Sequence, residues 1–214
     1  MASSPKTRAI IFDFDGVIVE SMGIKEKAFI FLFKDYPEHL NEIVKLHRAH
    51  GGLSRFEKFK TIHRDILKLP YSKEKEEKLA EKFSDFTLKE VIKSPFVPGA
   101  YEFLEKYYKT FSFFVASGTP EKEMKYIVKA KGIDRFFRDV LGSPRKKGQL
   151  CLQLLEEYKF LPEEALMVGD AVEDFEGAKE AKIRFIGRIG KDNMFKGLKT
   201  NGLIHNLFEL EKFL

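Results

Sequence analysis

A single cysteine, Cys151, is all the chain contains. No disulfide can close within it, and that usage fits a reducing compartment. Long apolar runs are also missing. Met1 to Thr7 are polar, and the short apolar stretch after them stops at acidic Asp13. This reads as neither a secretory signal nor a membrane span, and a cytoplasmic location is expected. There is no internal repeat, and no low-complexity tract beyond a charge-mixed stretch from Lys73 to Lys82. Blocks of one charge are absent too. The formal net charge is +5, yet the 38 basic residues are interleaved with 33 acidic ones, as in Lys73-Glu74-Lys75-Glu76-Glu77-Lys78. A nucleic-acid binder would gather its cations on one face, so neither nucleic acid nor membrane is an expected partner. A monomer or weak dimer is expected. What remains is an ordinary globular composition, with 43% hydrophobic and 33% charged residues in 214. That length suits one large domain, or a core carrying a smaller inserted one.

Ala9-Ile10-Ile11-Phe12 is a short continuous apolar run ending at Asp13. Such a run predicts a strand buried on both faces, as in a parallel sheet. Phe111 to Ala116, Ala165 to Val168 and Arg184 to Gly187 follow the same pattern, and Asp139-Val140-Leu141 more weakly. Helical patterns separate them: one after Pro98-Gly99, one opened by Thr119 as N-cap with Pro120 at the first helical position, one from Leu150 to Tyr158 and one from Val172 to Ala181. Strands alternating with helices predict an α/β fold with a Rossmann-like parallel sheet. Ser21 to Lys93 breaks the alternation. It is too long for a crossover, and Leu53, Phe56, Phe59, Ile62, Ile66 and Leu67 recur at helical spacing. The expected division is therefore a core of residues 1–20 and 94–214 with a helical insert, 21–93. The terminal stretch Leu207 to Leu214 is expected to pack on the core.

The polar residues fall at one repeated place. Asp13 and Asp15 follow the first strand, Ser117 the second, Ser143 and Lys147 the weak one, and Asp170 and Asp174 the strand ending at Val168. Ligands of open α/β sheets bind outside the carboxyl ends of the strands. Crowded carboxylates repel one another, and a cation relieves that cost. The oxygen-loving ion that also binds phosphates is Mg²⁺. Ser117 and Lys147 add a neutral donor and a positive charge, as a phosphoryl group requires.

In this order, Asp13-Phe14-Asp15-Gly16-Val17, Ser117, Lys147 and Gly169-Asp170 with Asp174 resemble the haloacid dehalogenase-like superfamily, and within it the capped phosphoglycolate phosphatase and β-phosphoglucomutase-like subgroup. The resemblance implies a phosphoric monoester hydrolase acting on a small phosphorylated metabolite. It implies that Asp13 is the nucleophile and that Asp15 is general acid, then base. Mg²⁺ would be held by Asp13, the Asp15 carbonyl and Asp170, with Asp174 as an alternate ligand or an orienting group. Ser117 and the Gly118 N–H would hold phosphoryl oxygens, and Lys147, chosen over Lys146 by its Ser-Pro-x-x-Lys spacing, would offset charge. The insert would be a type-one cap. A phosphomutase would use the same first half-reaction, and a non-catalytic protein on this fold would be expected to have lost Asp13, Asp15 or Asp170. Dehalogenases and phosphonatases lack the second aspartate, so Asp15 argues against them.

Gly51-Gly52-Leu53-Ser54-Arg55 resembles a substrate-specificity loop. Arg55 either reaches a second anionic group on the substrate or is a surface arginine beside a helix-capping serine. His39, His47, His50 and His63 lie in the insert without zinc-ligand spacing and are expected at the surface or partly buried; His50 is nearest the glycine loop.

Overall fold

The computed structural model describes residues 7–190 and 193–214. The polar start, residues 1–6, lies outside them, so the reading of Met1 to Thr7 rests on sequence alone. Six strands form one parallel sheet: β1 (Ala9–Phe12), β2 (Ser112–Pro120), β3 (Phe137–Ser143), β4 (Ala165–Gly169), β5 (Arg184–Arg188) and β6 (Gly202–Ile204), in the order β3-β2-β1-β4-β5-β6. The central strand β1 pairs with β2 (Ile10 opposite Phe113) and with β4 (Ile10 opposite Leu166). The chain runs outward from β1 through β2 and β3, then returns to the other side at β4. Strand order therefore reverses between β1 and β4, the place where such sheets open a crevice.

Alternation within the strands explains why their apolar runs are unbroken. Ile10, Phe12, Phe113, Val115, Leu166 and Val168 face one buried cluster, whereas Ala9, Ile11, Phe114, Ala116, Ala165 and Met167 face another. Successive side chains point to opposite faces, and helices cover both. The first cluster is closed by α5 (Ala100–Tyr107), α6 (Glu121–Ala130) and the terminal 3₁₀ turn Leu207–Phe213, which buries Leu207 and Leu210. The second is closed by α7 (Lys147–Tyr158) and α8 (Val172–Glu180). Cys151 lies here, and burial pushes its thiol up to about 12, so it packs as a small hydrophobe.

Between β1 and β2 the chain forms α1 (Met22–Leu32), α2 (Leu40–Ala49), α3 (Arg55–Thr61) and α4 (Lys73–Lys93). These helices have a core of their own, built on Ala28, Phe29, Phe33, Ile43, Phe59, Ile62, Leu79 and Phe83. The rings of Phe29, Phe59 and Phe83 lie 5.1–5.9 Å apart by centroid. Two linkers join the insert to the sheet side by side: Glu20 N–H donates to the Pro95 carbonyl, Val97 N–H donates to the Ile18 carbonyl, both at 3.0 Å, and Val19 bridges Phe96 in antiparallel sense.

The structure corrects four local expectations. Thr119 does not cap a helix: β2 continues through it to Pro120, which takes the N-cap position in extended geometry. The apolar series from Leu53 to Leu67 does not stay on one face. After Thr61 the helix widens into a π turn, Ile62–Ile66, closed by Leu67 N–H on the Ile62 carbonyl. The extra residue per turn shifts the phase, so Phe59 and Ile62 are buried but Ile66 and Leu67 only partly. His47 and His63 are buried rather than superficial. Finally, β6 adds a strand the sequence pattern omits, at three residues too short for periodicity to reveal. Among the described residues no helix is long and apolar enough to cross a membrane.

Candidate active site

The carboxyl ends of β1, β2, β3 and β4 deliver the polar residues to one point. Asp13, one residue past β1, is 4% exposed, and its N–H is held by the Val168 carbonyl at 2.9 Å. Lys147 is the first residue of α7, and its Nζ reaches Asp13 Oδ1 at 2.5 Å, the Ala116 carbonyl at 2.8 Å and Asp174 Oδ1 at 2.6 Å. Lys146 instead occupies the N-cap, its N–H bonded to Gln149. Asp174, fully buried in the first turn of α8, accepts from the Asp170 and Ala171 N–H groups on Oδ2, both at 3.1 Å. A carboxylate there is favoured by the free N–H groups of a helix start.

Oxygens of Asp13, Asp170 and Asp174 lie within 4.8 Å of one another. Asp170 packs against the turn after Asp15, where Gly16 has φ +79° and a Cβ would fall 2.1 Å from Asp170 Oδ2. Glycine is therefore required twice over, by the left-handed backbone and by the close approach. Burial pushes Asp13 up to about 7; Lys147 pulls it down, and Asp174 and Asp15 push it up again. Burial, then Asp13 and Asp174, raise Asp170 well above the carboxylate range. Among the described residues no cationic side chain pairs with Asp170. Asp13 and Asp174 thus share one ammonium while Asp170 has none, and an all-oxygen set with surplus negative charge fits a hard divalent cation. Asp174 already commits both oxygens, leaving Asp13 and Asp170 the freer donors.

Asp15 is placed differently. Ser21 Oγ donates to its Oδ1 at 2.5 Å, Thr119 Oγ1 to its Oδ2 at 3.3 Å, and Lys25 pairs with Oδ2. Burial alone would raise this carboxyl, but the Lys25 charge and the three hydrogen bonds hold it below its usual value. Ser21 and Lys25 stand four residues apart at the start of α1, so one helix face of the insert grips Asp15. Sequence reading missed Ser21, Lys25 and Thr119. Serine, lysine and threonine are common, and only the fold shows that they converge.

Asp13, Asp15, Lys25, Gly51, Gly118 and Thr119 line one cavity between sheet and insert, together with Arg55 and Lys58. Ser117 is set back from it at 1% exposure, and its Oγ accepts from the Thr119 N–H at 3.1 Å. Arg55 is neither superficial nor free. It is 5% exposed, donating to Glu123 Oε1 and Ser84 Oγ at 2.7 Å each, with its guanidinium 4.5 Å from the Phe83 ring centre. His50 Nδ1 meets Glu173 Oε1 at 2.9 Å, and Gly52 N–H donates to Glu173 Oε2 at 3.3 Å, tying the glycine loop to α8.

A family model described as haloacid dehalogenase-like hydrolase matches residues 7–182. Among curated proteins none matches. Several solved structures share the fold at low identity. A predicted phosphoglycolate phosphatase from Haemophilus somnus has 19% identity and TM-score 0.76, covering 99% of both chains. A β-phosphoglucomutase from Clostridium difficile has 18% identity and TM-score 0.77, covering 95% of this chain and 93% of its own. A HAD-hydrolase from Bacillus subtilis, described as bound to magnesium, has 21% identity and TM-score 0.72, covering 98% of this chain and 99% of its own.

Proposed function

The chain belongs to the haloacid dehalogenase-like hydrolases, and from that membership we propose that it is a Mg²⁺-dependent phosphatase of small phosphomonoesters. The observation that carries this reading is the buried Asp13 carboxylate at the end of β1, faced by the Lys147 ammonium and by Asp170. A nucleophile at that point can attack phosphorus while Lys147 offsets the charge of the incoming group. Asp13 forms an aspartyl-phosphate, and Asp15, two residues on, transfers the proton to the leaving oxygen. With Lys25 against it Asp15 is held ionised, the form that accepts a proton from water in the second half-reaction. Donation in the first half-reaction requires that grip to loosen, and because Lys25 rides on α1, movement of the insert is the means available. Asp13 and Asp170, with the Asp15 carbonyl, would hold Mg²⁺, which would supply charge compensation for the phosphoryl oxygens. Gly118 lines the cavity, where its backbone N–H would bind a phosphoryl oxygen, and closure of the insert would keep bulk water out.

The test is phosphate release from a panel of phosphorylated metabolites with Mg²⁺. Asp13→Asn should lower kcat by about a thousandfold or more while circular dichroism stays unchanged, and chelation should stop the wild type. Normal turnover by Asp13→Asn, or activity without divalent metal, would refute the reading. Isomerised product with little free phosphate would identify a mutase.

A further inference from the structure

Among the described residues three cationic side chains line the cavity, and two of them are already matched. Arg55 is bound to Glu123, and Lys25 to Asp15. Lys58, one turn after Arg55 on α3, is not. It is 3% exposed, and its Nζ donates to His47 Nδ1 at 3.1 Å and to the Gly51 carbonyl at 3.3 Å. Both partners are neutral: burial, Lys58 and Lys25 push His47 down to about 3, so its ring carries no charge near neutral pH. Among the described residues no carboxylate lies within ion-pair distance of Lys58. An ammonium buried without a paired counter-charge is costly: burial and Lys25 push Lys58 down to about 7, against a smaller upward pull from Glu173, Asp15 and Asp170. Methionine or leucine would fill that space at less expense. The arrangement is explained if the counter-charge arrives with a ligand.

We propose that Lys58, backed by His47 and the Gly51 carbonyl, forms an anion subsite that selects phosphomonoesters bearing a second anionic group, carboxylate or phosphate, on a short carbon skeleton. The proposal rests on the phosphatase reading above and names its substrate class. Asp13 and Gly118 mark the phosphoryl end of the cavity, and Lys58 with Gly51 lines the wall contributed by the insert. Lys58 lies near enough to Asp15 and Asp170 for their charges to act on it, which favours a few carbons between the two anions over a nucleotide. Two donors of the Lys58 ammonium are taken, and the third is left for the incoming anion.

Matched substrates test this, with Mg²⁺ present. The carboxylate arm compares 2-phosphoglycolate with 2-hydroxyethyl phosphate; the phosphate arm compares ribose 1,5-bisphosphate with ribose 5-phosphate. In one arm the wild type should favour the two-anion member by tenfold or more in kcat/KM. Lys58→Met should remove most of that preference through KM, and Lys58→Arg, which keeps the charge, should retain part of it. Equal kcat/KM within both pairs, or an equal loss on both members in Lys58→Met, would overturn the subsite. If the wild type hydrolyses none of the four, the wider metabolite panel judges the phosphatase reading, and calorimetry judges the subsite separately. The two-anion probes should bind Asp13→Asn tenfold or more tighter than Asp13→Asn/Lys58→Met, and equal binding would overturn the proposal.

Discussion

At the scale of single residues, the site is a set of buried charges whose positions make sense only together. Lys147 is the clearest case. Its ammonium is 5% exposed on the side chain and serves Asp13 and Asp174 at once. Burial would strip such a group of its proton, but the two carboxylates raise its pKa instead. Lys147→Met leaves Asp13 and Asp174 facing each other without a counter-charge. Removing one member of a buried ion pair costs about 3–5 kcal/mol. Urea unfolding of the metal-free variant should show a loss in that range; a loss under about 1 kcal/mol would mean the carboxylates find compensation elsewhere. Asp13, Asp15, Lys147, Asp170 and Asp174 were legible in the sequence as a convergence, because each follows an apolar run. Lys25, Thr119 and Lys58 were not. Their side-chain partners lie between 7 and 104 residues away, and no local pattern marks a lysine whose neighbour is set by tertiary packing.

At the scale of elements, the strands were the easiest part to read, since burial on both faces leaves an uninterrupted apolar run. The edge strand β3 was weaker because only part of it is covered, with Arg138 exposed. The helix after Thr119 was misplaced because threonine before proline looks like a cap, whereas Thr119 spends its hydroxyl on Asp15. The insert was readable as helices but not in its phase, which the π turn changes. Its aromatic cluster holds α1, α3 and α4 together, and Phe59 touches both Phe29 and Phe83. Phe59→Ala should cost about 3–5 kcal/mol. Hydrogen exchange is the sharper readout: amides of α1 to α4 should lose protection while those of β1, β2 and β4 keep theirs. Uniform loss across sheet and insert would show that the two unfold as one unit.

At the scale of the whole molecule, stability against pH sums buried groups of opposed sign. Asp13, with a folded pKa of about 7 against 3.8, keeps its proton when folded between those values, so its contribution falls as pH rises through that window in metal-free protein. Lys58, at about 7 against 10.5, is charged more readily when unfolded, so its contribution grows as pH rises from 7. His47, at about 3 against 6.5, must gain a proton on unfolding below 6.5, so its contribution is lost as pH falls from there towards 3. His47→Asn keeps an acceptor for Lys58 and removes the titration. Between pH 6 and 4 the wild type should lose about 1 kcal/mol more per pH unit than the variant. Parallel stability curves would show that His47 is already charged in the fold.

The paired linkers at Ile18–Glu20 and Pro95–Val97 have one more consequence. The insert's two attachment points are hydrogen-bonded neighbours, so everything from Ser21 to Ser94 hangs from a doorway one strand-pair wide. Cutting there and joining Glu20 to Pro95 through a tight turn would break no strand of the sheet. An exchanged insert would then have to restore only the contacts it makes with the scaffold, among them Lys25 on Asp15, Arg55 on Glu123, and His50 and Gly52 on Glu173.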